Sequence, residues 1–277
     1  MPGLILLASF MKSGNTWLRI LLQMLESADA AVDINALRST TSATSRKLFE
    51  QMAGIESRHL TMAEVAAARP AVAHMLARQP GKAMRLKVHE AYLPAFGTST
   101  PAFPPETVQA VLHLVRDPRD VAVSLAEHMG CSLETAVVRM GDPDFAVGAR
   151  RWHPSELPQF FSDWSRHTLS WLEAPLPVLT LRYEDMLADP IAALAAAVRH
   201  IGITATQERL AAAVHAASFE RLRAQEDKAG FHERPPHMHR FFRRGEAGGW
   251  RGELPSHLAR AMEERHGAVM HRLGYLP

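Results

Sequence analysis

The sequence predicts an α/β fold, in which one parallel sheet carries helices on both faces. Three observations predict it. Apolar runs of strand length alternate with segments of helical periodicity. Several of these runs end directly in a helix-start signal, and strands that alternate with helices are typical of a parallel sheet. The 277 residues can bury a large core, and no repeat or linker divides them. We therefore expect a single domain over 1–277.

Strands are expected where short apolar runs end in polar residues. These runs lie at 4–8, 108–115 and 177–181, and residues 84–88 are a further strand candidate. The run at 108–115 is almost wholly apolar, as is typical of a strand buried on both faces of a parallel sheet.

Helices are expected where apolar residues recur at the helical period. These segments lie at 17–25, 118–129, 162–173, 189–203, 207–217 and 256–273. Asp117 followed by Pro118 fits an N-cap and a first helical residue, and Asp189 followed by Pro190 can start a helix in the same way. Short connections between strand and helix are therefore predicted at these points.

The remaining segments are predicted to be insertions and loops. Residues 30–83 are expected to contain short helices and loops, and Pro70 interrupts an Ala-rich segment of helical character. Residues 131–160 are irregular, 94–106 form a Pro- and Thr-rich loop, and 224–249 form a long His- and Arg-rich loop within a flap that reaches 252. Long loops of this kind are usually functional.

Composition excludes several classes of protein. The 31 Lys and Arg against 29 Asp and Glu give no field of the kind that nucleic-acid binders show. Cys131 is the only cysteine, which excludes an internal disulfide and favours a reducing cytoplasm. The first strand leaves no room for a charged leader, and no apolar run reaches the ~20 residues of a membrane span. We expect a cytoplasmic protein without a membrane span.

The loop at 10–17, FMKSGNTW, is the first candidate site. It joins a strand to a helix start and carries a lysine and two hydroxyls, so it predicts an anion site of phosphate type. It lacks the first glycine of a Walker A loop, and Lys12 precedes Gly14 instead of following it. The alternative is an ordinary polar connection with an exposed lysine.

Arg116 and Ser124 form a second candidate site. Arg116 follows a buried strand at the sheet edge where open α/β proteins bind ligands, and Ser124 lies about two turns into the next helix. Together they can offer a guanidinium and a hydroxyl to one phosphate. The alternative is that Arg116 pairs with a carboxylate such as Asp120.

Two further motifs carry chemistry. The segment RRGEAGGWR at 243–251 describes a flexible loop whose guanidinium and backbone N–H groups can wrap a phosphate, with a solvated basic loop as the alternative. At a strand end, His89 can accept a proton near neutral pH and Lys87 can stabilise negative charge. A lone histidine is more often structural, and this chain has 15.

These motifs, in this order, resemble those of the soluble cytosolic sulfotransferases that use 3′-phosphoadenosine 5′-phosphosulfate. FMKSGNTW is similar to the PKSGTTW-like loop of that family, and Lys87-Val88-His89 to its KTH strand end. Its RNPKDVAVS segment is matched by residues 116–124. RYEDM at 182–186, Ala217-Ser218-Phe219 and RRGEAGGWR match three more motifs. The collinear matches cover essentially the whole chain, and its start is closest to bacterial members.

The resemblance implies a P-loop-like fold and a role for each matched residue. It implies catalytic roles for His89 as base and for Lys12 and Lys87. It places the donor on Lys12, Ser13, Gly14, Asn15, Thr16, Trp17, Arg116, Ser124, Tyr183, Ser218, Phe219, Arg243, Arg244 and Gly245. It implies 3′-phosphoadenosine 5′-phosphosulfate as sulfuryl donor, adenosine 3′,5′-bisphosphate as product and no metal. The expected partner is a small-molecule hydroxyl acceptor, with no nucleic acid, and the protein is expected to be a monomer or a homodimer.

The sequence departs from the family pattern at five motif positions. The replacements are Met11 for proline, Asn15, Val88 and Ala217 for threonines, and Gly249 for aspartate. Ala217 removes one expected adenine contact, whereas Asn15 keeps a hydrogen-bonding side chain in the loop.

Several alternatives stay open at this stage. Trp17 can be a core residue instead of an adenine contact. Trp164, His167 and Trp171 share one helix face, which favours core packing, with His167 facing an acceptor cavity as the alternative. His232, His237 and His239 have loose metal-like spacing, and a lid over the acceptor is the preferred interpretation. The rival classes for the whole protein are a P-loop kinase, which needs Mg²⁺, and a non-catalytic nucleotide-binding protein.

Overall fold

The computed structural model describes residues 3–27, 33–148 and 153–277. Its strands are β1 (Leu4–Ser9), β2 (Thr41–Ser42), β3 (Met84–Val88), β4 (Val108–Val115), β5 (Ala146–Val147), β6 (Gln159–Phe160) and β7 (Val178–Arg182). Five of them form one sheet in the order β2-β3-β1-β4-β7, and β5 pairs with β6 in an antiparallel ribbon. The predicted α/β fold, a parallel sheet flanked by helices, is confirmed.

The helices follow in chain order. They are α1 (Asn15–Glu26), α2 (Arg46–Ala53), α3 (Met62–Ala77), α4 (Pro118–Met129), α5 (Leu133–Met140), α6 (Trp164–Leu172), α7 (Tyr183–Ala188), α8 (Pro190–His200), α9 (Gln207–Ala216), α10 (Phe219–Ala229) and α11 (Ser256–Arg272). Short 3₁₀ turns lie at Ser57–His59, Pro105–Thr107 and Gly249–Gly252. Within the described ranges, every helix falls short of the length or hydrophobicity that a membrane-spanning helix needs.

The predicted helix-start signals work through side-chain caps. The carboxylate of Asp117 accepts a hydrogen bond from the backbone N–H of Arg119, 2.9 Å away, and Pro118 is the first residue of α4. Asp189 accepts in the same way from Ala192 N, and Pro190 begins α8. Each cap satisfies an N–H that the helix itself leaves without a partner.

Two predictions about helix bounds are wrong. Helix α3 runs through Pro70, because Thr61 and Glu64 form a capping box at its start and its buried side chains, such as Val65 and Val72, anchor both sides of the proline. The loop predicted to begin at 224 begins only after Ala229. The polar residues from 224 to 229 belong to helix α10, which is held in place because it buries two residues one turn apart, Leu222 and Glu226.

Several short elements were not predicted. Strand β2 has two residues, and the sequence around it has no apolar run. Strands β5 and β6 also have two residues each and lie in the segment predicted to be irregular. Helix α7 begins at Tyr183, directly after β7, in a segment that was matched only to a family motif. All of them are too short to produce a periodic signal.

The chain divides into two compact units. The first comprises Met1–Phe10, Thr40–His113 and Arg139–Thr180. Its core is built around β1 and β3, whose parallel register pairs Leu4 with Met84 and Ala8 with Val88. Buried side chains from α2, α3 and α6 pack on this pair, including Phe49, Val72 and Trp171. The register brings the carboxyl ends of the two strands to the same level.

The second unit comprises Met11–Ser39, Leu114–Val138 and Leu181–Pro277. Helix α1 contacts α8 and α9, and α4 contacts α11. The apolar contact at α4 includes Val123, Leu254 and Leu258. This unit contains the loop after β1, the first part of the segment after β4, and the whole of 230–255.

Candidate functional site

The loop after β1 forms an open helix N-terminus. Gly14 is the N-cap of α1 with φ 99°, and Lys12 also has a positive φ of 67°, so the loop turns through two left-handed residues. No side chain among the described residues caps α1. Ser13 is fully buried, and its Oγ has no hydrogen-bond partner within the described ranges. An orphaned hydroxyl beside uncapped N–H groups fits an anionic ligand.

Gly14 is required by the residue next to it. A Cβ at this position would lie 2.7 Å from Cδ2 of Tyr183, closer than any stable contact. The Tyr183 ring in turn meets Trp17 edge to face, with ring centroids 6.0 Å apart, and carries the Arg116 guanidinium 4.4 Å above its centroid. Four predicted donor residues are therefore in one cluster.

Arg116 binds backbone carbonyls instead of a carboxylate. Its Nη1 donates to the carbonyl of Lys12 at 3.2 Å and its Nη2 to that of Glu246 at 3.1 Å. Asp120, the partner considered for it, accepts instead from the backbone N–H of Gly248 at 2.7 Å and of Trp250 at 2.9 Å. The guanidinium charge is therefore not neutralised by Asp120.

Lys12 lies in a strongly cationic setting. Its Nζ is 4.0 Å from the centre of the Phe241 ring, in the segment that follows α10. Burial, together with the charge of Arg116 and of Arg243, lowers the pKa of the Lys12 ammonium to about 8. A bound anion would relieve this repulsion, so the lysine is poised to receive negative charge.

Trp17 and Phe219 are held at the end of α9 and the start of α10. Nε1 of Trp17 donates to the backbone carbonyl of Ala217 at 3.0 Å, and its ring is half-buried, neither fully in the core nor fully exposed. Ser218 is the N-cap residue of α10 and Phe219 its first residue. A Cβ on Gly245, which has φ 67°, would come 2.4 Å from the Phe219 ring.

Arg243 and Arg244, the first two arginines of the 243–251 segment, are ion-paired. Nε of Arg243 lies 2.9 Å from Oε2 of Glu127, and its Nη1 lies 2.6 Å from Oε2 of Glu253. Arg244 pairs with Glu246 at 3.2 Å and with Glu253 at 3.1 Å. The alternative of a merely solvated loop therefore does not hold for Arg243. Ser124, on α4, is half-buried.

His89 and Lys87 belong to the first unit, unlike the other predicted site residues. Because Ala8 pairs with Val88, Ser9 and His89 follow at the same level. Nδ1 of His89 lies 3.1 Å from the carbonyl oxygen of Ser9 and 3.2 Å from its Oγ. A carbonyl can only accept, so we assign the Nδ1–H tautomer, in which Nε2 carries the lone pair. Lys87, two residues earlier along β3, shares the strand face of His89.

His167 is a core residue that supports the backbone at His89. It is fully buried, as are Trp164 and Trp171 on the same helix face, which confirms the core interpretation. Its Nε2 lies 3.1 Å from the carbonyl of His89. Burial lowers the pKa of His167 to about 3, so its ring is neutral and donates this hydrogen bond through Nε2–H.

The histidines of the 230–255 segment make separate contacts. Across the described ranges, no group of three or more His, Cys, Asp and Glu side chains is arranged to hold a metal ion. Nε2 of His237 instead lies 3.1 Å from the backbone carbonyl of Glu127. His232 gives its backbone N–H to the side chain of Asn35.

Sequence reasoning missed four residues that shape the site. Ser9 lies just beyond the predicted strand at 4–8 and was given no role, and its position beside His89 follows from strand register. Phe241 was read as part of a loop, although its place directly before Phe242 and Arg243 could have drawn attention to it. Glu127 carries no local signal, since its pairing with Arg243 joins segments far apart in sequence. Glu253 lies ten residues after Arg243, and no motif marks it as the partner of that arginine.

Comparison with known proteins gives a match to one family model and to solved structures. The family model described as the sulfotransferase domain matches residues 2–274. No curated protein sequence matches this chain significantly. Among solved structures, mouse sulfotransferase SULT7A1 complexed with PAP is 20% identical, with a TM-score of 0.62, and the match covers 97% of this chain and 85% of that one.

A second solved structure is similar to the same degree. Retinol dehydratase, in complex with androsterone and the inactive cofactor PAP, is also 20% identical with a TM-score of 0.62, over 96% of this chain and 80% of that one. At this identity the two structures support the fold. The family model covers nearly the whole chain, and this protein therefore belongs to the sulfotransferase domain family.

Proposed function

We propose that this protein transfers a sulfuryl group from 3′-phosphoadenosine 5′-phosphosulfate to the hydroxyl of a small molecule. The observation that carries the proposal is the cluster at the start of α1. It unites an uncapped helix N-terminus, the orphaned Ser13 hydroxyl and the cations Lys12 and Arg116 within one compact unit. The donor has two phosphate groups, and the arginines of 243–244 supply cations for the second one.

The loop residues are proposed to hold the 5′-phosphate of the donor. The backbone N–H groups and hydroxyls would come from Ser13, Gly14, Asn15 and Thr16. Lys12 would neutralise the bridging oxygen as it leaves, because its ammonium is a buried cation that a developing negative charge would stabilise. Here Lys12 acts as a charge partner and not as a nucleophile.

The 3′-phosphate distinguishes this donor from ATP. We propose that it binds to Arg116, Ser124, Arg243, Arg244 and Gly245. Arg116 donates hydrogen bonds to the backbone carbonyls of Lys12 and Glu246, which carry no charge, so its positive charge is available to an anion. Arg243 shares its charge with Glu127 and Glu253, which orient its guanidinium.

The adenine is proposed to lie between aromatic residues. Trp17 and Phe219 would contact its faces, with Tyr183 and Ser218 near its edge. Stacking of a base on an aromatic side chain is worth about 1–3 kcal/mol. The hydrogen bond from Trp17 to the carbonyl of Ala217 supports this proposal, because it fixes the indole beside the first residues of α10.

His89 is proposed to accept the proton of the acceptor hydroxyl on Nε2. The bond from sulfur to the bridging phosphate oxygen breaks, and a bond from sulfur to the acceptor oxygen forms. The products are adenosine 3′,5′-bisphosphate and a sulfate ester, and Lys87 would offset charge on the sulfuryl oxygens. The Ser9 carbonyl keeps the proton of neutral His89 on Nδ1, which leaves Nε2 basic.

The donor assignment is tested by calorimetric titration. Adenosine 3′,5′-bisphosphate is compared with 5′-AMP and ATP, and the bisphosphate should bind most tightly because only it carries the 3′-phosphate. Equal affinity for 5′-AMP would overturn the donor assignment. A kinase would instead prefer ATP and require Mg²⁺ for transfer, and a non-catalytic binding protein would bind the bisphosphate without turnover.

We also propose a location and an assembly state for the protein. The single cysteine, Cys131, supports a reducing cytoplasm. A single domain, acting as a monomer or a homodimer, is the proposed state of the protein, and light scattering would distinguish the two.

A further inference from the structure

A buried carboxylate outside the predicted site holds the segment that covers Lys12. Glu226 lies in the third turn of α10 and is 3% exposed. Its Oε1 accepts from the backbone N–H of Phe241 at 2.7 Å, and its Oε2 accepts from that of Phe242 at 2.9 Å. The guanidinium of Arg234 lies 3.5 Å from Oε1. Both oxygens are thus engaged by backbone groups of consecutive residues.

The two residues that Glu226 binds are central to a small aromatic cluster. The ring of Phe231 lies 4.8 Å from that of Phe241 and 5.4 Å from that of Phe242, measured between centroids. The Phe241 ring also faces the Lys12 ammonium at 4.0 Å. Arg243 follows directly and pairs with carboxylates on its other side. One carboxylate therefore fixes the backbone between a ring over Lys12 and an arginine of the proposed 3′-phosphate site.

A carboxylate is needed at this place because both partners are donors. Two backbone N–H groups point at it, and an ionised carboxylate offers acceptors on both oxygens. A glutamine has one acceptor oxygen, and its NH₂ group would face the second N–H. One backbone donor would then lose its partner in a buried position, which is costly.

We propose that Glu226 is a positioning residue of the donor site. It holds the Phe241 ring over Lys12 and fixes the backbone that leads to Arg243. The proposal rests on the proposed function, since it concerns the same donor. Glu226 acts through the backbone of 241 and 242 and makes no contact with donor or acceptor. Loss of Glu226 should therefore weaken the contacts of the donor at Lys12 and at the 3′-phosphate.

The experiment measures binding of adenosine 3′,5′-bisphosphate from pH 7 to 10 by calorimetry. The variants are Glu226→Gln and Phe241→Leu, and the control is Glu220→Gln, which removes an exposed carboxylate from the first turn of the same helix. We expect Glu226→Gln to weaken binding about tenfold, as for the loss of one charge-assisted hydrogen bond. The control should match the wild type.

The pH dependence separates positioning from mere loss of structure. With the ring displaced, the Lys12 ammonium loses part of its burial, which is the largest cause of its lowered pKa, and so its pKa should rise towards its ordinary value. The alkaline decline in affinity should then begin at higher pH in both Glu226→Gln and Phe241→Leu. An unchanged alkaline limb and affinity in either folded variant would overturn the proposal. If Glu226→Gln fails to fold, Phe241→Leu decides alone.

Failure of the proposed function has a different signature. A wild type that does not prefer the bisphosphate over 5′-AMP refutes the donor assignment before any variant is compared. A wild type with this preference, together with a Glu226→Gln variant that binds equally well at every pH, refutes only the role of Glu226.

Discussion

Nη1 of Arg116 donates a hydrogen bond to the backbone carbonyl of Lys12, 3.2 Å away, so one cation holds the loop that presents the other. Arg116, which supports the loop, therefore also adds positive charge near the side chain of Lys12. Burial, together with the charges of Arg116 and Arg243, lowers the pKa of Lys12 to about 8. The pairing of two cations in one site is favourable only when an anion joins them.

Binding of adenosine 3′,5′-bisphosphate should therefore depend on pH. The bound phosphates should raise the pKa of Lys12 above its free value of about 8. Affinity is then complete below pH 8 and falls, by up to about tenfold per pH unit, as pH rises from 8 to the bound pKa. Calorimetry in buffers of different ionisation enthalpy should show proton uptake near pH 9. A Lys12→Met variant should bind weakly with a flat profile over this range, and a decline that persists in it would contradict the assignment.

Gly14→Ala should abolish tight binding of the bisphosphate. The new methyl group would lie 2.7 Å from the Tyr183 ring at φ 99°, so the loop and the ring must separate. Gly81→Ala is the matched control, because Gly81 also has a left-handed φ, of 111°, and its Cβ would meet no atom within 4 Å. Both variants carry the backbone cost of about 1–2 kcal/mol for a left-handed alanine. Only Gly14→Ala should lose affinity, as measured by calorimetry, and equal affinities in the two variants would count against the cluster.

His89→Ala should keep bisphosphate binding and lose transfer. A positioned general base contributes about 10²–10⁴-fold to a rate, and the imidazole is the group that the Ser9 carbonyl orients. Ser9→Ala removes the hydroxyl 3.2 Å from Nδ1 but keeps that carbonyl, so its turnover should fall much less. Turnover is measured as bisphosphate release with a panel of hydroxyl acceptors. Substantial turnover by His89→Ala would remove His89 as the base.

The parts of the site that the sequence predicted depend on local signals. The loop at Gly14 and the cap at Asp117 are encoded within a few residues, and both are present in the structure. The partner of Arg116 could not be predicted, because the carbonyls of Lys12 and Glu246 carry no side-chain signature. Glu226 was missed for a related reason. Its partners are backbone N–H groups 15 and 16 residues further along the chain, and polar text near 224 predicted a loop.

In the fold, too, the elements with a local sequence signal were predicted and the others were not. Strands β1, β4 and β7 were predicted because each contains an apolar run, and β3 was predicted as a short strand candidate, whereas β2 depends on pairing with β3 and has no run of its own. The interruption predicted at Pro70 was wrong since tertiary packing on both sides of a proline can outweigh one lost hydrogen bond.

His113→Leu should make the protein more resistant to acid. His113 is fully buried, and among the described residues neither ring nitrogen has a hydrogen-bond partner. Burial and the nearby His167 lower its pKa to about 3, against about 6.5 in the unfolded chain. As pH falls from 6.5 towards 3, the unfolded state takes up a proton that the folded state refuses, and stability is lost at about 1.4 kcal/mol per pH unit. Leucine removes this loss and fills a similar volume.

The measurement is the free energy of unfolding by urea at pH 8 and at pH 5. Any change in packing affects both values equally, so the difference between the two pH values isolates the titration. The wild type should lose about 2 kcal/mol more than His113→Leu between pH 8 and pH 5. The control is His59→Leu, which replaces an exposed histidine and should keep the pH dependence of the wild type. If His113→Leu keeps the acid sensitivity of the wild type, His113 takes up its proton equally well in the folded and the unfolded protein. The loss of stability in acid would then come from another group.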